Sequence, residues 1–231
     1  MQRPGAIFVD AVGTLFGVRG SVGQIYSEYA ARIGVVVAPD RLQQAFLQAF
    51  TQAPPLAFPD LSPEAIPQAE YDYWYRLTER TFALAGGLAH IPDFAAFFPE
   101  VYAAFATADP WEVYPDVLPA LQAWRAQGIP VGVISNFDSR LYQVLAALGL
   151  QPWLTTVTIS SQVGAAKPAG AIFHAAWRAQ GQPSPPLWHI GDSWEADVLG
   201  ARAVGWRGIH LCREGTSPDP QAIRRLTDLL S

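Results

Sequence analysis

The sequence predicts an α/β protein: a three-layer core built on a parallel sheet, with an all-helical domain inserted near its start. From Pro110 onward, short apolar runs alternate with helical patterns, and such alternation builds a parallel sheet covered by helices on both faces. One further apolar run, Gly5 to Asp10, stands far upstream of that series. Between it and the next core element lie roughly 90 residues with helical periodicity only, whereas strand-to-helix loops usually take about 2–6 residues, so the stretch reads as an insertion. The expected division is residues 1–17 and 109–231 for the core and 18–108 for the inserted domain.

Each element has a local reason. Ala6, Ile7, Phe8 and Val9 form a short buried strand that ends at Asp10, with Gly13 in the turn beyond. Ser21 and Gln24 stand in capping-box spacing ahead of Ile25, Tyr29 and Ile33. Asp40 and Gln43 repeat that spacing before the stripe of Leu42, Ala45, Phe46, Ala49 and Phe50. Pro54, Pro55, Pro59, Pro63 and Pro67 make a rigid connection. A helix over 68–84 follows, stopped by Gly86 and Gly87, and another over 93–106. The core series then runs helix 116–127, strand 130–135, helix 139–148, strand 155–160, helix 168–180, strand 187–191, helix 194–204, strand 207–211 and a closing helix over 219–230.

Composition removes several classes. With 231 residues, half of them hydrophobic, a compact chain buries roughly 70–75% of its unfolded surface, which excludes disorder. The net charge of −5 disfavours nonspecific nucleic-acid binding. No apolar run approaches the ~18–20 residues that cross a bilayer. A lone Cys212 makes no internal disulfide, and the opening residues do not read as a secretion signal, so the expected setting is cytoplasmic.

In open parallel sheets, ligands bind beyond the carboxyl ends of the strands. The polar residues expected there are Asp10 and Thr14 after the first strand, Ser135 and Asn136 after the second, Lys167 before a helix, and Asp192 and Asp197 after the fourth. A carboxylate such as Asp10 can attack phosphorus, dividing one displacement into two easier steps. The hydroxyls of Thr14 and Ser135 and the amide of Asn136 suit phosphoryl oxygens. A phosphate dianion would be repelled by Asp10, Asp192 and Asp197, so cations are required: Lys167 and a divalent ion. Read singly, each residue also fits a plain structural role as a cap, a turn residue or a solvated side chain. His189 and His210 interrupt apolar strands and read as packing residues. The aromatic group Tyr71, Tyr73, Trp74, Tyr75 and Phe82 reads as the inserted domain's own core or, alternatively, as a substrate pocket.

With Asp10-Ala11-Val12-Gly13-Thr14, Ser135-Asn136, Lys167-Pro168 and Gly191-Asp192 in this order, the sequence resembles the haloacid dehalogenase superfamily of hydrolases, most of which are magnesium-dependent phosphatases. Within it the sequence is similar to the branch of haloacid dehalogenase-like hydrolase domain-containing protein three. The resemblance covers essentially the whole chain and implies a Rossmann-like core with a helical cap that selects substrate and excludes water. It implies Asp10 as nucleophile and Lys167 as the group that stabilises it and the developing charge. It further implies phosphate binding by Thr14, Ser135, Asn136 and Lys167, and a small phosphorylated molecule as substrate. Mg2+ would be held by Asp10, the backbone carbonyl of Val12 and Asp192, with Asp197 a ligand or a partner behind the ligands.

One departure matters. In the phosphatases of this superfamily a second Asp stands two residues after the nucleophile, where it protonates the leaving oxygen and later activates water; here it is Val12. General acid–base assistance is typically worth ~10²- to 10⁴-fold in rate. Two other readings therefore stand beside the phosphatase: a metal-free dehalogenase, whose family members usually carry Tyr at this position, and a binder of phosphorylated ligands that has lost turnover.

Overall fold

The computed structural model describes residues 3–230. Five strands, β1 (Ala6–Val9), β4 (Val131–Ser135), β5 (Thr156–Ile159), β6 (Leu187–Gly191) and β7 (Arg207–His210), form one parallel sheet in the order β5-β4-β1-β6-β7. The order runs outward from β1 in one direction and then in the other, so the crevice where the order reverses lies beside β1. All four residues of β1 are fully buried, as a central strand covered on both faces demands. Register keeps the carboxyl ends nearly level: Val9 pairs with Val133 and Ile190, and Ser135 with Ile159.

Helices α5 (Val117–Ala126), α6 (Arg140–Ala147), α7 (Ser160–Val163), α8 (Gly170–Ala179) and α9 (Gly200–Ala203) alternate with these strands. Phe8 stacks on Trp206 with ring centroids 4.8 Å apart, inside a cluster that also holds Ile134, Ile172, Phe173 and Ala176. Two short strands, β2 (Phe16–Val18) and β3 (Trp111–Val113), form a separate two-stranded sheet where the chain leaves and rejoins this unit.

The second compact unit comprises Val18–Pro55 and Ser62–Glu112 and contains α1 (Val22–Arg32), α2 (Pro39–Gln52), α3 (Ile66–Leu84) and α4 (Phe94–Ala104). Ser21 caps α1 by accepting from the Gln24 N–H, and Asp93 caps α4 by accepting from Ala96. Its core is aromatic. Tyr26 lies over Phe82 at 5.7 Å, and Tyr71 and Tyr75 meet Phe98 edge-on at 5.0 and 5.2 Å, so these rings are packed within the unit. Among the described residues no helix is long and apolar enough to cross a membrane.

Three expectations are corrected. Asp40 does not cap α2, which begins at Pro39; Pro suits the first turn because its missing N–H is not needed there. Gln43 instead accepts from the Gly23 N–H of α1 at 3.0 Å. Leu56–Leu61 clusters with the sheet-bearing unit rather than with the helical one: Leu56 is buried, and its carbonyl accepts from the Ser160 hydroxyl. The helix expected over 194–204 is present, opening as a π-helical turn (Trp194–Leu199) that runs into α9, because the Ser193 carbonyl accepts from both Asp197 and Val198.

The closing helix is absent over 219–230 apart from a 3-10 turn at Leu226–Leu229. There Ile223 bridges Leu211 in parallel fashion, and that extended pairing competes with helical hydrogen bonding.

Truncating Phe8 to Ala empties the middle of the sheet's packing, and Phe→Ala in a core costs about 3–5 kcal/mol. Urea denaturation of Phe8→Ala should show a loss of that size; a loss under about 1 kcal/mol would mean that the cluster collapses to fill the space.

Candidate active site

The loops leaving the carboxyl ends of β1, β4 and β6 bring the expected residues together, with Lys167 joining from the turn before α8. Asp10 extends β1 by one residue, its N–H donating to the Ile190 carbonyl at 2.9 Å. The chain then turns sharply: Gly13 has φ +87°, and a Cβ there would fall 2.5 Å from an Asp192 carboxylate oxygen. Glycine is required at that point by conformation and by space together. Gly191 is constrained in the same way, since a Cβ would lie 2.1 Å from the carboxyl carbon of Asp197. These two contacts let the carboxylates converge. One oxygen from each of Asp10, Asp192 and Asp197 lies within 4.8 Å of the other two.

Lys167 bridges two of the three. Its ammonium donates to Asp10 Oδ1 at 2.7 Å, Asp197 Oδ1 at 2.6 Å and the Ile134 carbonyl at 2.8 Å. An ammonium has three N–H bonds, and these partners use all of them. Burial alone would push the lysine toward the neutral form, but the charges of Asp10 and Asp197 outweigh it and raise its pKa above 10.5.

The carboxylates respond unequally. Asp197 Oδ1 accepts from both Lys167 and His189 Nε2 (2.8 Å), and its Oδ2 accepts from the Ser193 N–H at 3.0 Å. Burial opposes ionisation of Asp197, but these donors overcome it and hold its pKa well below the usual range. Asp10 is pulled two ways by burial and by Lys167. Burial prevails, with the charge of Asp197 adding to it, and the pKa rises. Asp192 is raised from 3.8 to about 7, first by desolvation and then by the charges of Asp10 and Asp197. Its side chain is open to solvent, so water screens part of that repulsion. One ammonium does not neutralise three carboxylates, and the deficit falls on Asp10 and Asp192.

The remaining expected residues divide. Ser135 lies buried at the end of β4. Thr14 is fully buried with its hydroxyl unpartnered among the described residues. The Asn136 amide accepts from the Lys167 N–H at 2.7 Å and donates to the Lys167 carbonyl at 2.9 Å, so this side chain holds the lysine's backbone. Val12 is half-buried at the turn. The turn's own bonding runs through the Ala11 carbonyl and the Gly13 N–H, leaving the Val12 carbonyl out of it.

Two residues read from sequence as packing belong to the site's support. His189, buried in β6, points Nε2 at Asp197. Burial lowers its pKa despite that bond, so Nε2–H donates and the buried Nδ1 has no partner among the described residues. His210 at the end of β7 donates from Nε2 to the Asp192 carbonyl at 3.0 Å. A signal was present in both cases: a polar residue in an otherwise apolar strand needs a buried partner.

Comparison with known proteins follows the same lines. The family model described as "Hydrolase: haloacid dehalogenase-like hydrolase" matches residues 4–205. The chain is 33% identical over 219 residues to haloacid dehalogenase-like hydrolase domain-containing protein 3 of Mus musculus, covering 93% of this chain and 84% of the mouse protein. Its fold is similar to that of an HAD phosphatase from Thermococcus onnurineus, with TM-score 0.64 and 23% identity over 97% of this chain and 95% of the other. It is similar as well to a 2-haloacid dehalogenase from Pseudomonas syringae pv. Tomato DC3000, with TM-score 0.65 and 19% identity over 97% and 95% of the two chains. Both structural likenesses concern the fold, which accommodates phosphatase and dehalogenase alike. Sequence, sheet order and relatives agree that this chain belongs to the haloacid dehalogenase-like hydrolase family.

Proposed function

We propose that this hydrolase is a magnesium-dependent phosphatase acting on a small phosphorylated molecule through an aspartyl-phosphate at Asp10. One observation carries the reading: three carboxylates have oxygens within 4.8 Å of one another, and the one lysine beside them pairs with two, Asp10 and Asp197. A metal-free site has no use for Asp192, whose ionisation is opposed by Asp10 and Asp197. The donors are all oxygen, as a hard divalent cation requires. Asp10, Asp192 and the Val12 carbonyl would hold it, with Asp197 tied to Lys167, His189 and Ser193 behind them. When bound, magnesium supplies charge neutralisation for the carboxylates and for the phosphoryl oxygens.

The chain's own groups account for the rest. Lys167 holds Asp10 Oδ1, which orients the carboxylate and leaves Oδ2 to attack phosphorus. A new P–O bond forms to Asp10 as the bond to the leaving oxygen breaks. Water then attacks phosphorus, releasing inorganic phosphate and regenerating the carboxylate. Ser135, at the end of β4, would donate to the phosphoryl group. The leaving oxygen takes its proton from water, because Val12 has none to give. The single Cys212, buried and without a disulfide, suits a reducing cytoplasmic setting.

The charge deficit sets a pH dependence. Asp192 releases its proton near 3.8 when unfolded and at about 7 when folded, so its ionisation costs stability, and this cost grows as pH rises through that window. Thermal melts without metal should therefore show Asp192→Asn gaining on the wild type from pH 5 to pH 8. Magnesium should raise the wild-type melting temperature more at pH 8 than at pH 6 and leave Asp192→Asn nearly unmoved. Equal magnesium shifts in the two proteins would remove Asp192 from the metal site.

Without an acid at position 12, rates should fall steeply as the leaving group becomes more basic. Val12→Asp should raise kcat on alkyl phosphates by ~10²-fold or more while changing activated aryl phosphates little. An unchanged or lower alkyl-phosphate rate in the folded variant would contradict the acid-loss account.

A further inference from the structure

The magnesium reading needs the Val12 carbonyl held steady, yet it lies in a turn built around Gly13. A trans peptide points its C=O opposite to its N–H. The Gly13 N–H donates to the Phe16 carbonyl at 2.8 Å, which fixes the Val12–Gly13 plane from one side. The next plane is joined to it through Gly13 itself, which has φ +87° and no Cβ to restrict it. The Thr14 N–H in that second plane donates to the Ala11 carbonyl at 3.3 Å, which leaves the Gly13 carbonyl on its other side to be held.

Arg213, three residues beyond β7, is placed to do so. Its Nε donates to the Gly13 carbonyl at 3.3 Å and its Nη2 to the Thr14 carbonyl at 2.7 Å. The guanidinium is itself anchored: Nη1 pairs with Asp116 at 2.8 Å, and the cation lies over the Tyr114 ring, 3.8 Å from its centroid. Asp116 is buried, and its other oxygen accepts from the Leu226 N–H at 2.6 Å, so the anchor is held by a third segment. A rigid planar fork that grips two consecutive carbonyls fixes both of their peptide planes, which a lysine's single point of donation does not.

We propose that Arg213 is a positioning residue for the divalent-cation site. By holding the carbonyls of Gly13 and Thr14 it locks the joint at Gly13, and so keeps the Val12 carbonyl in place beside Asp10. The inference rests on the magnesium reading and adds to it a residue outside all four motifs. Partners behind metal ligands typically contribute about 10–100-fold to affinity.

The test is a magnesium titration by calorimetry on wild type, Arg213→Lys and the double variant Arg213→Met/Asp116→Asn, in which no carboxylate is left stranded. Hydrogen exchange of amides 12–16 is measured on the same proteins without metal. The double variant should bind magnesium about 10–100-fold more weakly and Arg213→Lys should fall between. Exchange at Gly13 and Thr14 should quicken while β1 stays protected. A folded double variant whose magnesium affinity is within twofold of wild type would overturn the proposal. So would lost affinity with unchanged exchange in the loop, because the loss would then not act through the turn. A wild type that binds no magnesium would overturn the phosphatase reading and this role with it, a result distinct from binding that the variants retain.

Discussion

The site depends on one buried ammonium. Lys167 is the only lysine in the chain; the other fourteen basic residues are arginines. Three acceptors converge on its Nζ at 2.6 to 2.8 Å, a compact arrangement that a point-like group with three protons satisfies and a planar guanidinium does not. With three partners on its Nζ, Lys167 fixes Asp10 and Asp197 relative to each other. Asn136 holds its backbone, and Ile134, in β4, supplies the third acceptor, so the ion pair is tied to the sheet as well as to the loops.

The same arrangement leaves negative charge over. A lone ammonium among three carboxylates settles Asp197 as an anion and disfavours ionisation of Asp10 and Asp192. A divalent cation would reverse that, lowering both and freeing an oxygen of Asp10 for attack. Fold alone does not choose among the chemistries that this family supports; the unbalanced charge is what the magnesium proposal rests on.

Much of this was legible in the sequence, and the parts that were not have a common cause. Asp10, Lys167, Asp192 and Asp197 are polar residues at the ends of short apolar strands or at the entry to a helix, and parallel topology makes such positions converge. The strands themselves were readable as short runs rich in apolar residues, unbroken in β1 and interrupted by His189 in β6 and by His210 at the end of β7. What stayed hidden depends on pairings that only the folded chain makes, from 8 residues apart for His189 and Asp197 to 200 for Arg213 and Gly13. Asn136 was read as a phosphate donor, and its part in holding the Lys167 backbone was not visible. His189 looked like packing until Asp197 came into reach. Arg213 had no motif around it, and only folding brings it 200 residues back to Gly13. The mistaken closing helix belongs to the same class, since periodicity over 219–230 does not reveal that Ile223 bridges Leu211.

The most direct test is a crystal structure with Mg2+ and beryllium fluoride, which mimics a phosphoryl group on a carboxylate. The account predicts beryllium bonded to the Asp10 carboxylate, and one magnesium touching Asp10, Asp192 and the Val12 carbonyl, with Lys167 still on Asp10. Density for neither group at Asp10, or an ion bound by Asp197 while Asp192 points away, would contradict it.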